Sequence, residues 1–311
     1  MKPEISVVIP AYNEEESLRP LLKSLYPVMK GMERPFEIIF INDGSKDSTL
    51  GILYDLHLSH PEVRVIDLNG NFGQHMAIMA GFEHVRGDMV ITLDADLQNP
   101  PEEIPRIVAK MEEGHDLVGT YRIGRRDPLF RKISSKLVNR LTNRIAGLSI
   151  RDYGCMLRGY RRRIVDIINI SRETTTFIPA LGQKFASNPI EIPVAHRERE
   201  KGTSKYGLFQ LIRLNFDLMT SFSIVPLQFV TMAGMLISLL SSLLVVYMLL
   251  RRLFIGPEAE GLFTLMAIQF MLTGITLFSL GITGEYVGRI YREVSRRPRY
   301  SIRKIFDHEK E

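Results

Sequence analysis

Asp94-Ala95-Asp96-Leu97-Gln98 directly follows the short apolar run Met89–Leu93. Two carboxylates held about 4 Å apart near a surface repel by about 4 kcal/mol at an effective dielectric near 20. A divalent cation such as Mg2+ or Mn2+, shared with a substrate diphosphate, relieves that repulsion. The same ion steadies negative charge on a departing diphosphate. Read alone, the triplet fits a capped turn with solvated acids equally well; its neighbours favour the metal. Asn42-Asp43-Gly44-Ser45 ends an earlier apolar run. A carboxylate there can accept hydrogen bonds from a base or ribose, Gly44 allows a tight turn, and Ser45 or Asp47 can cap the next helix. Pro10-Ala11-Tyr12-Asn13-Glu14 closes the first run without any G-x-G-x-x-G, which argues against a dinucleotide-type Rossmann site.

Anionic substrates call for cations. Arg122, Arg125, Arg126, Arg131 and Lys132 form one basic cluster, and Arg197, Arg199, Lys201 and Lys205 another. Arginine suits bidentate phosphate contacts, so Arg122, Arg125, Arg131, Arg199 and Lys205 are the expected phosphate and acceptor contacts. The same clusters also read as a solvated face drawn to anionic lipid heads at about 1 kcal/mol per residue. His75 and His196 are read as ordinary polar contacts and not as metal ligands. The lone Cys155 excludes an intrachain disulfide and a Cys-rich zinc site, and reads as a packed small hydrophobe.

These residues need a frame that brings loop ends together. The apolar runs Ile5–Ile9, Phe36–Ile41, Val63–Leu68, Met89–Leu93 and Leu117–Gly119 are short and mostly unalternating, as strands buried on both faces of a parallel sheet are. Helical stretches fall at about 14–30, 46–59, 74–86 and 101–113, with Asn13 and Glu16 expected to form a capping box. This order predicts an α/β fold: an open, mainly parallel sheet with helices on both faces. Ligands sit beyond the carboxyl ends of such strands. Pro10–Glu14, Asn42–Ser45, Asn69–Gln74 and Asp94–Asn99 should therefore gather along one rim.

Charges vanish from Leu218 to Leu250 and again from Gly261 to Gly284. About 20 apolar residues cross a bilayer core, so two transmembrane helices are expected, at 224–250 and 261–284. Residues 1–200 would form the cytoplasmic domain, 201–223 an amphipathic interfacial helix or linker, 251–260 a short extracytoplasmic loop, and 285–311 a basic cytoplasmic tail. The first apolar stretch is too short for a signal peptide. Basic residues after the second span agree with both termini being cytoplasmic. Part of the net charge of +5 is thus topological, and no nucleic-acid partner is implied. Gly284 and Gly288 form a small-xxx-small pair that suits helix packing between protomers, so a homo-oligomer is possible.

Together these motifs resemble family 2 glycosyltransferases of the GT-A fold. The resemblance rests on Val7 to Glu14, Asn42 to Ser45, Asn71-Phe72-Gly73 and Asp94 to Gln98. It extends to the polyprenyl-phosphate branch through the two spans and Gly284-Glu285-Tyr286-Val287-Gly288-Arg289. The resemblance implies a metal-dependent, inverting transfer of sugar from a UDP-sugar donor to undecaprenyl phosphate at a bacterial inner membrane. The expected product is a lipid-linked sugar for envelope glycan or lipid A modification. The stretches Phe72 to His75, Asp96 to Arg106, Asp152 to Arg158 and Gly202 to Tyr206 point to 4-deoxy-4-formamido-L-arabinose as the sugar, with glucose or mannose as alternatives. By the same resemblance Pro10, Tyr12, Glu14, Asp43 and Asp94 would hold the nucleotide, and Asp96 and Gln98, with Asp94, the metal. Asp96 and Asp152 would be the catalytic pair, Asp152 lying near the acceptor. A phosphate monoester is already largely ionised at pH 7, so Asp152 reads either as a base or as an orienting group. The absence of Trp argues against a processive polysaccharide synthase, whose acceptor motif contains one. A catalytically inactive scaffold is disfavoured by the intact acids.

Overall fold

The computed structural model describes residues 2–122, 150–152, 154–171, 177–195, 225–254, 262–294 and 298–308. Strands β1 (Ile5–Ala11), β2 (Phe36–Asn42), β3 (Val63–Leu68) and β4 (Met89–Thr92) lie parallel, in the order β4-β1-β2-β3. Every residue of these four strands is buried. That explains why their sequences mostly do not alternate: both faces are covered, and the few charged side chains, such as Glu37 and Arg64, are buried as ion pairs.

One face packs on α1 (Leu18–Gly31), α2 (Thr49–Ser59) and α4 (Ile104–Glu112), whose core contacts include Leu21, Leu25, Leu53, Ile107 and Met111. Each such buried side chain contributes roughly 1.5–3 kcal/mol. The other face packs on α3 (Gln74–His84), α5 (Arg162–Ile170) and α6 (Ile178–Phe185). Here α3 comes so close that a Cβ on Gly81 would lie 2.5 Å from the side chain of Val8.

Beyond β4 the sheet turns mixed. β6 (Arg158–Arg161) pairs antiparallel with both β4 and β5 (Leu117–Arg122), and β7 (Pro189–Val194) runs parallel to β5. At the far edge β8 (Ile302–Phe306) pairs antiparallel with β3. The full order is β7-β5-β6-β4-β1-β2-β3-β8. Residues of the expected basic tail therefore complete the sheet, and Arg303 donates to Asp67 at 3.3 Å.

The expected capping box does not form. Asn13 adopts φ +54° and α1 begins at Leu18. Asn13 instead uses its Oδ1 to accept the Lys46 N–H at 2.9 Å, tying two strand-end loops together. Ser45 is no helix cap either; its Oγ accepts the Asn13 N–H at 3.0 Å. Asp47 does assist α2, through its Oδ1 and the Thr49 N–H.

Residues Met1–Asn215 with Arg297–Glu311 form one compact unit, and Phe216–Arg296 a second. The second contains two long helices, α7 (Val225–Phe254) and α8 (Leu262–Val294). Among the described residues, one helical segment, Ile268–Gly288, is long and apolar enough to cross a membrane, with a mean hydropathy of 1.3 over 21 residues. Leu227–Ile237 in α7 is a shorter apolar stretch. The expected interfacial helix at 201–223 lies outside the described residues, as does most of the 251–260 loop.

Candidate active site

The parallel order of the four central strands sets their carboxyl ends side by side, and the rim motifs meet there. Pro10 sits inside β1, beyond the residues of β1 that pair with β4. The Leu93 N–H donates to the Val8 carbonyl, and the β1–β4 register ends at Val8 opposite Thr92, so Pro10, two residues on, lies past the end of β4. Half-buried Tyr12 follows it at the rim. Glu14 turns back to accept the Ser17 hydroxyl at 2.6 Å, and its N–H donates to Thr49 Oγ1 at 2.9 Å.

Asp43 is buried, and its two oxygens accept the N–H groups of Phe72 at 2.7 Å and Gly73 at 2.9 Å. Burial pushes its pKa up, and the two N–H bonds work against that. Its first task is thus to fix the loop that feeds α3. The adjoining Gly44 has φ +67°, and a Cβ there would lie 2.4 Å from the Gly70 carbonyl carbon, so this contact requires glycine.

The fixed loop delivers Gln74, whose Nε2 donates to Asp94 Oδ1 at 2.5 Å. Asn99 Nδ2 donates to the other oxygen at 3.3 Å. Burial, and after it the Asp96 charge, raises the Asp94 pKa to about 7, against the pull of Arg122 and the Gln74 bond. Asp96 Oδ1 accepts the Gln98 N–H at 3.1 Å across Leu97, which takes φ +63°. A left-handed leucine costs about 1–2 kcal/mol, and here it lies between two candidate ligands.

No group of three or more His, Cys, Asp or Glu side chains able to hold a metal occurs among the described residues. The donor set still suits a hard divalent cation: oxygen atoms from carboxylates and an amide, with repulsion between Asp94 and Asp96 for a cation to relieve. Mg2+-type sites use one or two carboxylates and complete their shell with substrate phosphates and water.

On the far side of the rim Arg122, at the end of β5, forms a fork with Asp152. Its Nε donates to Oδ2 at 2.6 Å and its Nη2 to Oδ1 at 2.8 Å. Hydrogen bonding to Asp152 raises the Arg122 pKa although burial opposes it. Arg158, wholly buried in β6, donates to the backbone carbonyls of Cys155 at 3.0 Å and Asp152 at 2.8 Å. Cys155 is buried, as expected, with its Sγ 2.9 Å from Thr120 Oγ1.

Of the expected site residues, Pro10, Tyr12, Glu14, Asp43, Asp94, Asp96, Gln98, Arg122 and Asp152 lie along this rim. Arg125, Arg131, Arg199 and Lys205 lie outside the described residues. Sequence reasoning placed Gln74 and Asn99 within rim segments and Gly154 and Arg158 within a matched stretch, but assigned none of them a role. Only the fold aims the Gln74 and Asn99 amides at Asp94. His75 packs edge-on against Phe177 with ring centroids 4.9 Å apart, and burial lowers its pKa to about 4.

Residues 6–168 match the family model described as Glycosyl transferase family 2. A Proteus mirabilis protein named undecaprenyl-phosphate 4-deoxy-4-formamido-L-arabinose transferase is 49% identical over 305 residues, covering 97% of this chain and 94% of its own. A protein of the same name from Klebsiella pneumoniae is 48% identical, covering 97% and 93%. Among solved structures, glucosyl-3-phosphoglycerate synthase from Mycobacterium tuberculosis, in complex with phosphoglyceric acid, is 18% identical. It covers 71% of this chain and 79% of that one, with a TM-score of 0.49. Strand-end acids that meet on one rim, a matched domain over residues 6–168 and near-half identity along almost the whole chain lead to one assignment: the chain belongs to glycosyl transferase family 2.

Proposed function

We propose that this chain transfers 4-deoxy-4-formamido-L-arabinose from a UDP-sugar to undecaprenyl phosphate, with inversion, at the cytoplasmic face of a bacterial inner membrane. The observation that carries the substrates is the identity of 48–49% over 97% of the chain to relatives named for that sugar and that lipid. The rim supports the chemistry. Pro10, Tyr12, Glu14 and Asp43 line the nucleoside end, and Asp94, Asp96 and Gln98 follow at the diphosphate end. Mg2+ or Mn2+ held there would neutralise charge on the departing diphosphate. The chain's own residues orient the reactants. Gln74 and Asn99 hold Asp94, and Arg122 supplies a fixed positive charge within electrostatic reach of Asp94. The lipid phosphate oxygen attacks the anomeric carbon while the bond to UDP breaks. The phosphate is already largely ionised at pH 7, so no side chain has to take a proton.

Placement of both termini in the cytoplasm is supported by β8. A strand paired with β3 must lie on the same side of a membrane as β3, so the chain between them crosses an even number of times. Two crossings, through α7 and α8, are the reading that also fits the charge-free runs. The experiment is turnover by the full chain in vesicles with undecaprenyl phosphate and a panel of UDP- and GDP-sugars. The formamido-arabinose donor is expected to react fastest. Preference for UDP-glucose or GDP-mannose would reassign the sugar, and no lipid-linked product from any donor would overturn the reading.

A further inference from the structure

Asp152 is the acid expected nearest the acceptor, and its surroundings decide what it can do. A carboxylate offers about four lone-pair sites. At Asp152, Oδ1 accepts Arg122 Nη2 at 2.8 Å and the Gly154 N–H at 3.0 Å. Oδ2 accepts Arg122 Nε at 2.6 Å and the Arg122 backbone N–H at 3.4 Å. All four sites are thus directed at donors of the chain itself. Both side chains of the ion pair are 12% exposed. Water therefore screens the fork weakly, and taking one partner away strands a nearly buried charge.

The spacing of Asp152-Tyr153-Gly154 has its own explanation in this fork. A Cβ on Gly154 would lie 2.7 Å from Arg122 Nη2. Glycine at that position lets the guanidinium lie across the turn. Beneath it, Arg158 holds the Asp152 and Cys155 carbonyls, so two arginines fix the turn from two sides. The fork occupies two of the five N–H donors of Arg122. No partner of its Nη1 is found among the described residues, and its charge reaches Asp94.

We infer that Asp152 is a positioning residue that works through Arg122: it holds the guanidinium, by way of the Gly154 turn, as a fixed cation for a phosphate oxygen of the donor or the acceptor, and it takes no proton. This rests on the transferase reading above. Balance is kept without a base. The ionised lipid phosphate forms the new C–O bond, the bond to the nucleoside diphosphate breaks with its electron pair, and no proton has to move.

The test uses the full chain in vesicles, with turnover of UDP-sugar and undecaprenyl phosphate by the unsubstituted protein as its first arm. Variants Asp152→Asn, Arg122→Gln, their double combination and Gly154→Ala follow, each with a thermal unfolding curve and a UDP-binding measurement. Expected are losses in kcat/KM for the lipid of about 100-fold in each single variant, the size that misplacing a reacting group by 1 Å can cause. The double variant should lose no more than the worse single one, because the two residues act as a unit. Gly154→Ala keeps both charges and should fall with them. The acid limb of the pH–rate profile should survive in Asp152→Asn. Losses that multiply in the double variant, a Gly154→Ala protein with full activity, or an acid limb that disappears in Asp152→Asn would each overturn the inference. Should Asp152→Asn fail to fold, Gly154→Ala and Arg122→Gln still decide: matched losses support the fork, and full activity in either removes it. A silent unsubstituted protein sinks the substrate assignment instead.

Discussion

Asp94 is held by two neutral amides, and neutrality matters. A lysine or arginine in place of Gln74 or Asn99 would pair with the carboxylate and compete with a divalent cation for it. An amide fixes the carboxylate and leaves its charge. Gln74→Ala should accordingly raise the Mg2+ or Mn2+ concentration needed for half-maximal activity by about 10–100-fold, the usual effect of losing an orienting partner. A metal titration of turnover checks this, and an unchanged half-maximum would show that Gln74 does not serve the cation. The acids themselves were legible in the sequence, because Asp43, Asp94 and Asp96 stand where buried apolar runs stop. Their partners were not. Gln74 is 20 residues from Asp94 and Arg122 is 30 from Asp152; only the strand order brings them together. Asn13 is instructive in the other direction. Followed by Glu16 it reads as a helix cap, yet a tertiary bond to Lys46 outweighs that local preference.

At the scale of elements, the sheet splits into a part that hydrophobic pattern reveals and a part that pairing alone creates. β1 to β4 are mostly apolar, with only isolated polar residues such as Glu37 and Arg64, and their existence and limits follow from that within a few residues. β6 reads Arg-Gly-Tyr-Arg and β8 reads Ile-Arg-Lys-Ile-Phe, neither of which announces a buried element. β8 is fastened by more than its ladder. Asp307, 3% exposed, pairs with Arg64 at 3.1 Å and Arg86 at 2.8 Å, and Arg64 in turn pairs with Glu37 at 2.6 Å. The cluster sits at the amino ends of β2 and β3, opposite the rim. Asp307→Ala should lower stability by about 3–5 kcal/mol, because it leaves buried arginine charge uncompensated. Donor affinity at a temperature where the variant stays folded should not change. Chemical denaturation and UDP binding measure the two separately, and an unaltered unfolding midpoint would mean that β8 is not fastened in solution.

For the whole molecule, the second unit is an insertion between two parts of one sheet, and that topology restricts how it meets a membrane. With β3 and β8 paired, any membrane crossings between them are even in number, and in the proposed reading α7 and α8 carry the chain out and back. Cys155 is buried and the chain has no other cysteine, so an introduced thiol reports without background. Glu258→Cys should react with a membrane-impermeant thiol reagent on intact spheroplasts, and Lys310→Cys only after permeabilisation; labelling of Lys310→Cys in intact spheroplasts would refute the cytoplasmic placement of β8. The charge-free runs made the two long helices of the second unit legible, of which one segment, Ile268–Gly288, is long and apolar enough to cross a membrane among the described residues, whereas the return of the tail into the sheet was hidden behind its basic residues. Everything functional converges on the cation that Asp94, Asp96 and Gln98 are expected to share with a sugar nucleotide. The most direct measurement is UDP binding to the full chain with Mn2+, after chelation, and in Asp96→Ala. The account predicts binding that requires the ion and weakens at least about tenfold in Asp96→Ala. Equal affinity in all three conditions would contradict it.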